Sequence, residues 1–115
     1  MSERCDLDYL ADIVEAMQRV LAYVRGMSYD DFLDDTKTQD AVLRNLQVIG
    51  EAVKQLSPSL RESHPEIPWR QMAGLRDKIT HDYFGMNYDI VWFVAKADVS
   101  QLLPHVELLL TDHEQ

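Results

Sequence analysis

Val42-Leu43-Arg44-Asn45-Leu46-Gln47-Val48-Ile49-Gly50-Glu51-Ala52-Val53-Lys54-Gln55-Leu56 places apolar side chains at Val42, Leu46, Ile49, Val53 and Leu56, alternately four and three residues apart. That period matches one face of an α-helix and no strand. Gly50 sits inside the stripe, where it costs about 1 kcal/mol relative to Ala. Its presence points to the close approach of a neighbouring helix. Upstream, Leu10, Ile13, Val14, Met17, Leu21 and Val24 repeat the spacing and predict a first helix from Asp6 to Arg25, stopped by Gly26. The second helical region is predicted from Tyr29 to Leu56. Ser28 is its cap, Asp30 and Asp31 favour its N-terminus, and Asp35-Thr36 is a candidate break.

Downstream, Ser57-Pro58 ends that helix, and a short turn is expected through Arg61. His64-Pro65-Glu66-Ile67-Pro68 is expected to be largely extended, because a residue before proline is pushed out of the α region. Pro68 suits the first position of a third helix running from Trp69 to Thr80 or Tyr83, with Gly85 beyond it. Asn87 is the expected cap of a final helix bearing Ile90, Val91, Phe93, Val94, Ala97, Leu102 and Leu103. Pro104 is expected to kink or break that helix, and the tail from Thr111 to fray. The pattern is all-α: a small bundle of about four to five helices in one domain spanning residues 1–115.

Composition narrows the function classes. Hydrophobic residues make up 46% of 115, enough for one core. Four Gly and four Pro are too few for the turns of an all-β chain. The single Cys5 excludes an internal disulfide and a Cys-based zinc site, and fits a reduced, cytoplasmic setting. The N-terminus is charged and lacks a signal core, and no apolar run approaches the ~20 residues of a membrane span, so no membrane partner is expected. A net charge of −9 opposes non-specific binding to nucleic acid. The charge is uneven: residues 1–40 carry ten acids against four bases, whereas 61–78 hold Arg61, Arg70, Arg76 and Lys78 against three acids. Contact with a polyanion is therefore expected around 61–78.

The residues with chemical potential lie in Arg76-Asp77-Lys78-Ile79-Thr80-His81-Asp82-Tyr83. On a helix, Asp77 and His81 fall within about 40° of each other, and Arg76 and Tyr83 are nearly eclipsed. The two pairs face well apart. A straight helix cannot aim all four groups at one point, so either the helix ends near His81 or a second copy of the chain completes the site. The types suit RNA cleavage without metal. His81 can move protons near neutral pH, Arg76 offers a planar fork to a phosphate, and Asp77 can orient the imidazole. The same residues also read as an exposed Asp–His helix pair, a surface Arg and a core Tyr, and residue types alone leave both readings open.

Arg76-x4-His81-x-Tyr83 resembles the R-x4-H-x-Y signature of HepT-like toxins in the HEPN superfamily. The flanks Val48-Ile49-Gly50-Glu51-Ala52, Ile67-Pro68-Trp69-Arg70-Gln71-Met72-Ala73-Gly74-Leu75 and Phe84-Gly85-Met86-Asn87-Tyr88-Asp89-Ile90-Val91-Trp92 are similar to that family as well, so the resemblance covers about residues 5–110. It implies a HEPN-type bundle forming a two-fold homodimer or a larger homo-oligomer. Two motifs would meet in its cleft and cleave RNA without metal, with Arg76 and His81 catalytic and Asp77 supporting. It also implies the toxin half of a type VII-like toxin–antitoxin system, neutralised by an MntA-like nucleotidyltransferase antitoxin that transfers AMP from ATP to Tyr83. A bulky anion there would compete with RNA for Arg76. The alternative is a non-catalytic helical partner of a nucleotidyltransferase, which the acidic charge favours.

Other residues read as structural. His64, His105 and His113 fall in a loop and near the C-terminal end. Trp69 and Trp92 read as core or interface aromatics. Asp30, Asp31, Asp34 and Asp35 read as a solvated helix start. No His-Glu-x-x-His or paired Glu-x-x-His pattern exists, so neither metal nor cofactor is expected.

Overall fold

The computed structural model describes residues 3–114. These form six helical segments and no strand. Four segments are long rods: α1 (Asp6–Val24), α3 (Thr36–Gln55), α5 (Trp69–His81), and a continuous run made of α6 (Tyr88–Phe93), a π-helical turn (Val94–Asp98) and α7 (Val99–Glu114). Two are short: α2 (Tyr29–Leu33) and α4 (Pro58–Ser63). α1 packs between α3 and α7, and α3 carries α5 on its other side. The protein is an all-α bundle, as the spacing of its apolar residues predicts.

The apolar stripe of α1 forms the centre of the core. Leu10, Ile13, Val14, Met17, Val20 and Val24 are buried, and Leu21 is half-buried. Gly26 adopts φ 74°, the one positive φ among the described residues, which ends α1 at a cost that only glycine avoids. Lys96 from the π turn donates to the Val24 carbonyl at 3.2 Å, placing a cation at the C-terminus of α1.

The expected break at Asp35 is real and has two causes. Ser28 and Asp31 cap α2 reciprocally, at 3.1 and 3.0 Å. Asp35 then caps α3 by accepting from the Thr38 N–H at 3.0 Å. Buried Gln39 donates to the Phe32 and Leu33 carbonyls at 2.9 and 3.0 Å, satisfying the end of α2 that the break exposes. Phe32 is fully buried against Tyr88 and Trp92.

Four local expectations are corrected. Ser57-Pro58 both stops α3 and starts α4, because Ser57 Oγ accepts from the Leu60 N–H and Pro58 occupies the first helical position. His64–Pro68 is a turn closed by the Ile67 N–H on the His64 carbonyl at 3.2 Å. His64 leaves the α region, at φ −131° and ψ 62°, without becoming extended. Pro104 sits inside α7 without breaking it. It and Ser100, whose carbonyl loses its N–H partner, lie on the solvent side, where water can take the bond; the irregularity lies upstream, in the π turn. The end of α7 stays helical to Glu114, with the His113 ring 3.0 Å from the Leu109 carbonyl.

Candidate active site

Arg76 lies at a close approach of α3 and α5. A Cβ built on Gly50 would stand 2.2 Å from the Arg76 Cβ and 2.9 Å from the Met72 carbonyl oxygen. Only glycine permits this approach, as expected from its place in the α3 stripe. The stem of Arg76 crosses α3 there. Its Nε forms an ion pair with Glu51 at 2.9 Å, and another guanidinium nitrogen donates to Asp77 at 3.1 Å. The side chain remains 29% exposed, so part of its fork faces solvent.

Asp77 is the hub of a small charge network. It accepts from Lys54 of α3 and from Arg76. Lys54, and secondarily Arg76, hold its carboxyl below the usual aspartate range. Sequence reading paired Asp77 with His81; here its bonds go to the two cations.

His81 is the last residue of α5 and is exposed. The Asp82 N–H closes on the Lys78 carbonyl at 2.9 Å, and Asp82 then turns the chain out of the helix at φ −144° and ψ 51°. Of the two arrangements open to the sequence, the helix end near His81 is present.

That ending moves Tyr83 off the face of Arg76, on which a continued helix would hold it. Tyr83 opens a 3₁₀ turn (Tyr83–Gly85), and its hydroxyl donates to Asp40 of α3 at 2.7 Å. Burial first, and the Asp40 hydrogen bond second, push its pKa up to about 12. Asp40 and Glu51 are eleven residues apart on α3, so the anchors of Tyr83 and Arg76 are separated by about 16 Å along one helix face. Phe84 packs edge-on against Tyr83 and is otherwise fully exposed.

The motif arginine also lines a groove between α1 and α3 of about 320 Å³, together with Arg4, Tyr9, Arg44, Gln47 and Thr80. The basic stretch 61–78 does not form one patch. Arg61 and Arg70 line a separate groove beside α4, while Arg76 joins Arg4 and Arg44. Sequence reading missed Asp40, Arg44 and Lys54 as neighbours of the motif. The available signal was the polar stripe Asp40, Arg44, Gln47, Glu51 and Lys54, which repeats at four and three along α3. Among the described residues, no group of three or more His, Cys, Asp or Glu side chains has metal-binding proximity, and no helix is long and apolar enough to cross a membrane.

The family model described as ribonuclease HepT-like matches residues 13–109. The chain belongs to the HepT-like family. Among HepT-like relatives, a protein named probable ribonuclease HepT from Thermococcus cleftensis is 44% identical, covering 93% of this chain and 97% of its own length. Two chains named as putative RNases are also similar. The one from Methanocaldococcus jannaschii is 43% identical over 92% of this chain and 88% of its own. The one from Caldanaerobacter subterraneus subsp. tengcongensis is 39% identical over 89% and 91%. No solved structure matches this HepT-like chain at a significant level.

Proposed function

We propose that this HepT-like chain is a metal-independent endoribonuclease and the toxin of a type VII-like toxin–antitoxin pair. One observation carries the reading: Arg76 is fixed over Gly50 with part of its fork open to a groove, while His81 stands exposed at the end of the same helix. In the reaction, a base removes the proton of a ribose 2′-hydroxyl, whose oxygen attacks the adjacent phosphorus. The bond to the 5′-oxygen breaks, and an acid protonates that leaving oxygen. Arg76 neutralises the charge on the phosphate, and His81 moves the protons. Each chain offers one such histidine, so a two-fold dimer bringing two motifs to one cleft supplies base and acid together. Asp77 steadies Arg76 and, through it, the phosphate.

Neutralisation falls to Tyr83. Its hydroxyl oxygen attacks the α-phosphorus of ATP on an MntA-like nucleotidyltransferase, pyrophosphate leaves, and the phenolic proton is released. The AMP ester brings a phosphate beside Asp40, whose carboxylate repels it, so the modified side chain is driven from its anchor on α3 toward the cationic groove.

The test is RNA cleavage by the purified, unmodified protein in EDTA, with folded His81→Ala beside it. Cleavage by the parent alone is expected; equal cleavage by the variant would sink the assignment. A second reading has its own support: the net charge of −9 and the engagement of Arg76 by Glu51 and Asp77 suit a non-catalytic partner of a nucleotidyltransferase. It predicts a stable complex with the transferase and no cleavage from a chain whose intact mass shows Tyr83 bare.

A further inference from the structure

We infer that the groove between α1 and α3, lined by Arg4, Tyr9, Arg44, Gln47, Arg76 and Thr80, is a subsite for single-stranded RNA, with Arg44 receiving a backbone phosphate. The inference rests on the ribonuclease reading for its choice of ligand, and on the groove itself for its chemistry.

Three guanidinium groups line one concavity of a chain with a net charge of −9. Two of them are already compensated within it. Arg4 pairs with Asp12 at 2.6 Å, and Arg76 pairs with Glu51 at 2.9 Å. Arg44 is exposed and, among the described residues, has neither an ion-pair nor a hydrogen-bond partner. One positive charge is therefore unspent in the groove, and it belongs to the side chain best shaped to grip phosphate oxygens.

The remaining lining fits a nucleotide more than a bare anion. The Arg4 guanidinium lies over the Tyr9 ring, 4.9 Å from its centroid. A layered cation and aromatic ring is the kind of platform on which an unpaired base stacks. Gln47 and Thr80 meet each other only at 3.4 Å, which leaves an amide and a hydroxyl with capacity for ribose or phosphate oxygens. The volume, about 320 Å³, lies at the small end of the range of roughly 300–1,000 Å³ typical of ligand sites. Direction follows from α3. Arg44, Gln47 and Glu51 lie on one face within two turns, so a strand held by Arg44 runs along α3 to Arg76 at the Glu51 end. Arg44 is also one turn from Asp40, the anchor of Tyr83, so a phosphate esterified to Tyr83 would compete for the same guanidinium.

The experiment is fluorescence anisotropy with a short fluorescein-labelled single-stranded RNA, on a His81→Ala background so that no RNA is cut. The full-length chain is titrated over a range of salt concentrations. Arg44→Ala is expected to weaken binding about three- to tenfold and to reduce the slope of log Kd against log salt by about 0.7, the value for one phosphate contact on a single strand. Arg44→Lys should retain the slope and recover part of the affinity. Tyr9→Ala should weaken binding with the slope unchanged, since stacking releases no counterion. Because Arg44 is exposed, its variants should melt with the parent in circular dichroism. A parent that does not bind the RNA, or an Arg44→Ala variant with parental affinity and slope, overturns the subsite. The ribonuclease reading fails separately: if the His81→Ala background binds with this salt dependence yet the chain with His81 intact never cuts RNA, the subsite stands and the activity is lost.

Discussion

The Arg76 side chain leaves its helix directly over Gly50, so close that a single added carbon on Gly50 would overlap the Arg76 Cβ. The contact orders the candidate site before any charge is considered. The helices approach closely, the arginine stem is held against α3, and Glu51, the next residue of α3, forms an ion pair with its Nε.

Gly50→Ala tests this contact. Alanine gains about 1 kcal/mol of helix propensity in α3. Its methyl group must push aside the Arg76 stem and the Met72 carbonyl, and overpacking of this kind costs about 1–3 kcal/mol or more. The expected result is a net loss of stability in urea unfolding and lower RNA cleavage. An alanine variant as stable as the parent would show that the helices part freely.

His81→Ala separates chemistry from folding. The side chain is exposed, so stability should change by no more than about 0.5 kcal/mol. RNA cleavage should fall by about 10²- to 10⁴-fold, the usual contribution of a positioned acid or base. Arg76→Ala should be as inactive and also somewhat less stable, since Glu51 loses its partner and Asp77 keeps only Lys54. Thermal melts beside single-turnover cleavage distinguish the two effects.

The Tyr83 phenol should titrate late. With its pKa pushed up to about 12, against an ordinary value of 10.0, the folded state holds the proton more tightly than the unfolded chain. The stability this contributes is fully present below pH 10 and is lost as pH rises through about 12. Asp40→Asn should lower the late phenolate transition, read by ultraviolet absorbance, without returning it to the ordinary value, because burial is the larger cause. An unchanged curve in the Asn variant would remove Asp40 from the account.

Incubation with the transferase and ATP should raise the mass of the chain by AMP units, and Tyr83→Phe should abolish the rise. A full mass increase on the Phe variant would move the acceptor elsewhere. Asp40→Ala should speed the reaction, since the hydroxyl no longer has to leave its carboxylate partner.

What could be read from the sequence was local. Ser28, Asp35 and Asn87 announce helix starts through short-range hydrogen bonds, and Gly50 announces a close contact because nothing else explains a glycine in an apolar stripe. The motif in 76–83 was visible as residue types at helical spacing. Its surroundings were not. Lys54, Asp40, Glu51 and Arg44 meet it across two antiparallel helices, and Arg4 joins Arg76 only because α1 packs on α3. A period shows which face of a helix is polar; it does not show what stands opposite. The six-residue α4 was missed because Ser57-Pro58 serves as both stop and start. Pro104 does not break α7, because the carbonyl it orphans faces water.

The π turn at Val94–Asp98 works as a phase corrector. Val91, Ala95 and Val99 are buried and spaced by four, a step that drifts about 40° each time on a regular helix. The wider turn absorbs that drift, so one buried seam runs unbroken from α6 into α7. From Val91 to Val99 a regular helix would drift by about 80°, so the segment holds one residue more than the seam needs. Deleting one of its five residues should therefore let the turn tighten to α-helix with the flanks within about 20° of phase, and Tyr88 and Trp92 should stay on Phe32. A second deletion has no such reserve: it would rotate α6 by about 100° more and swing those rings away.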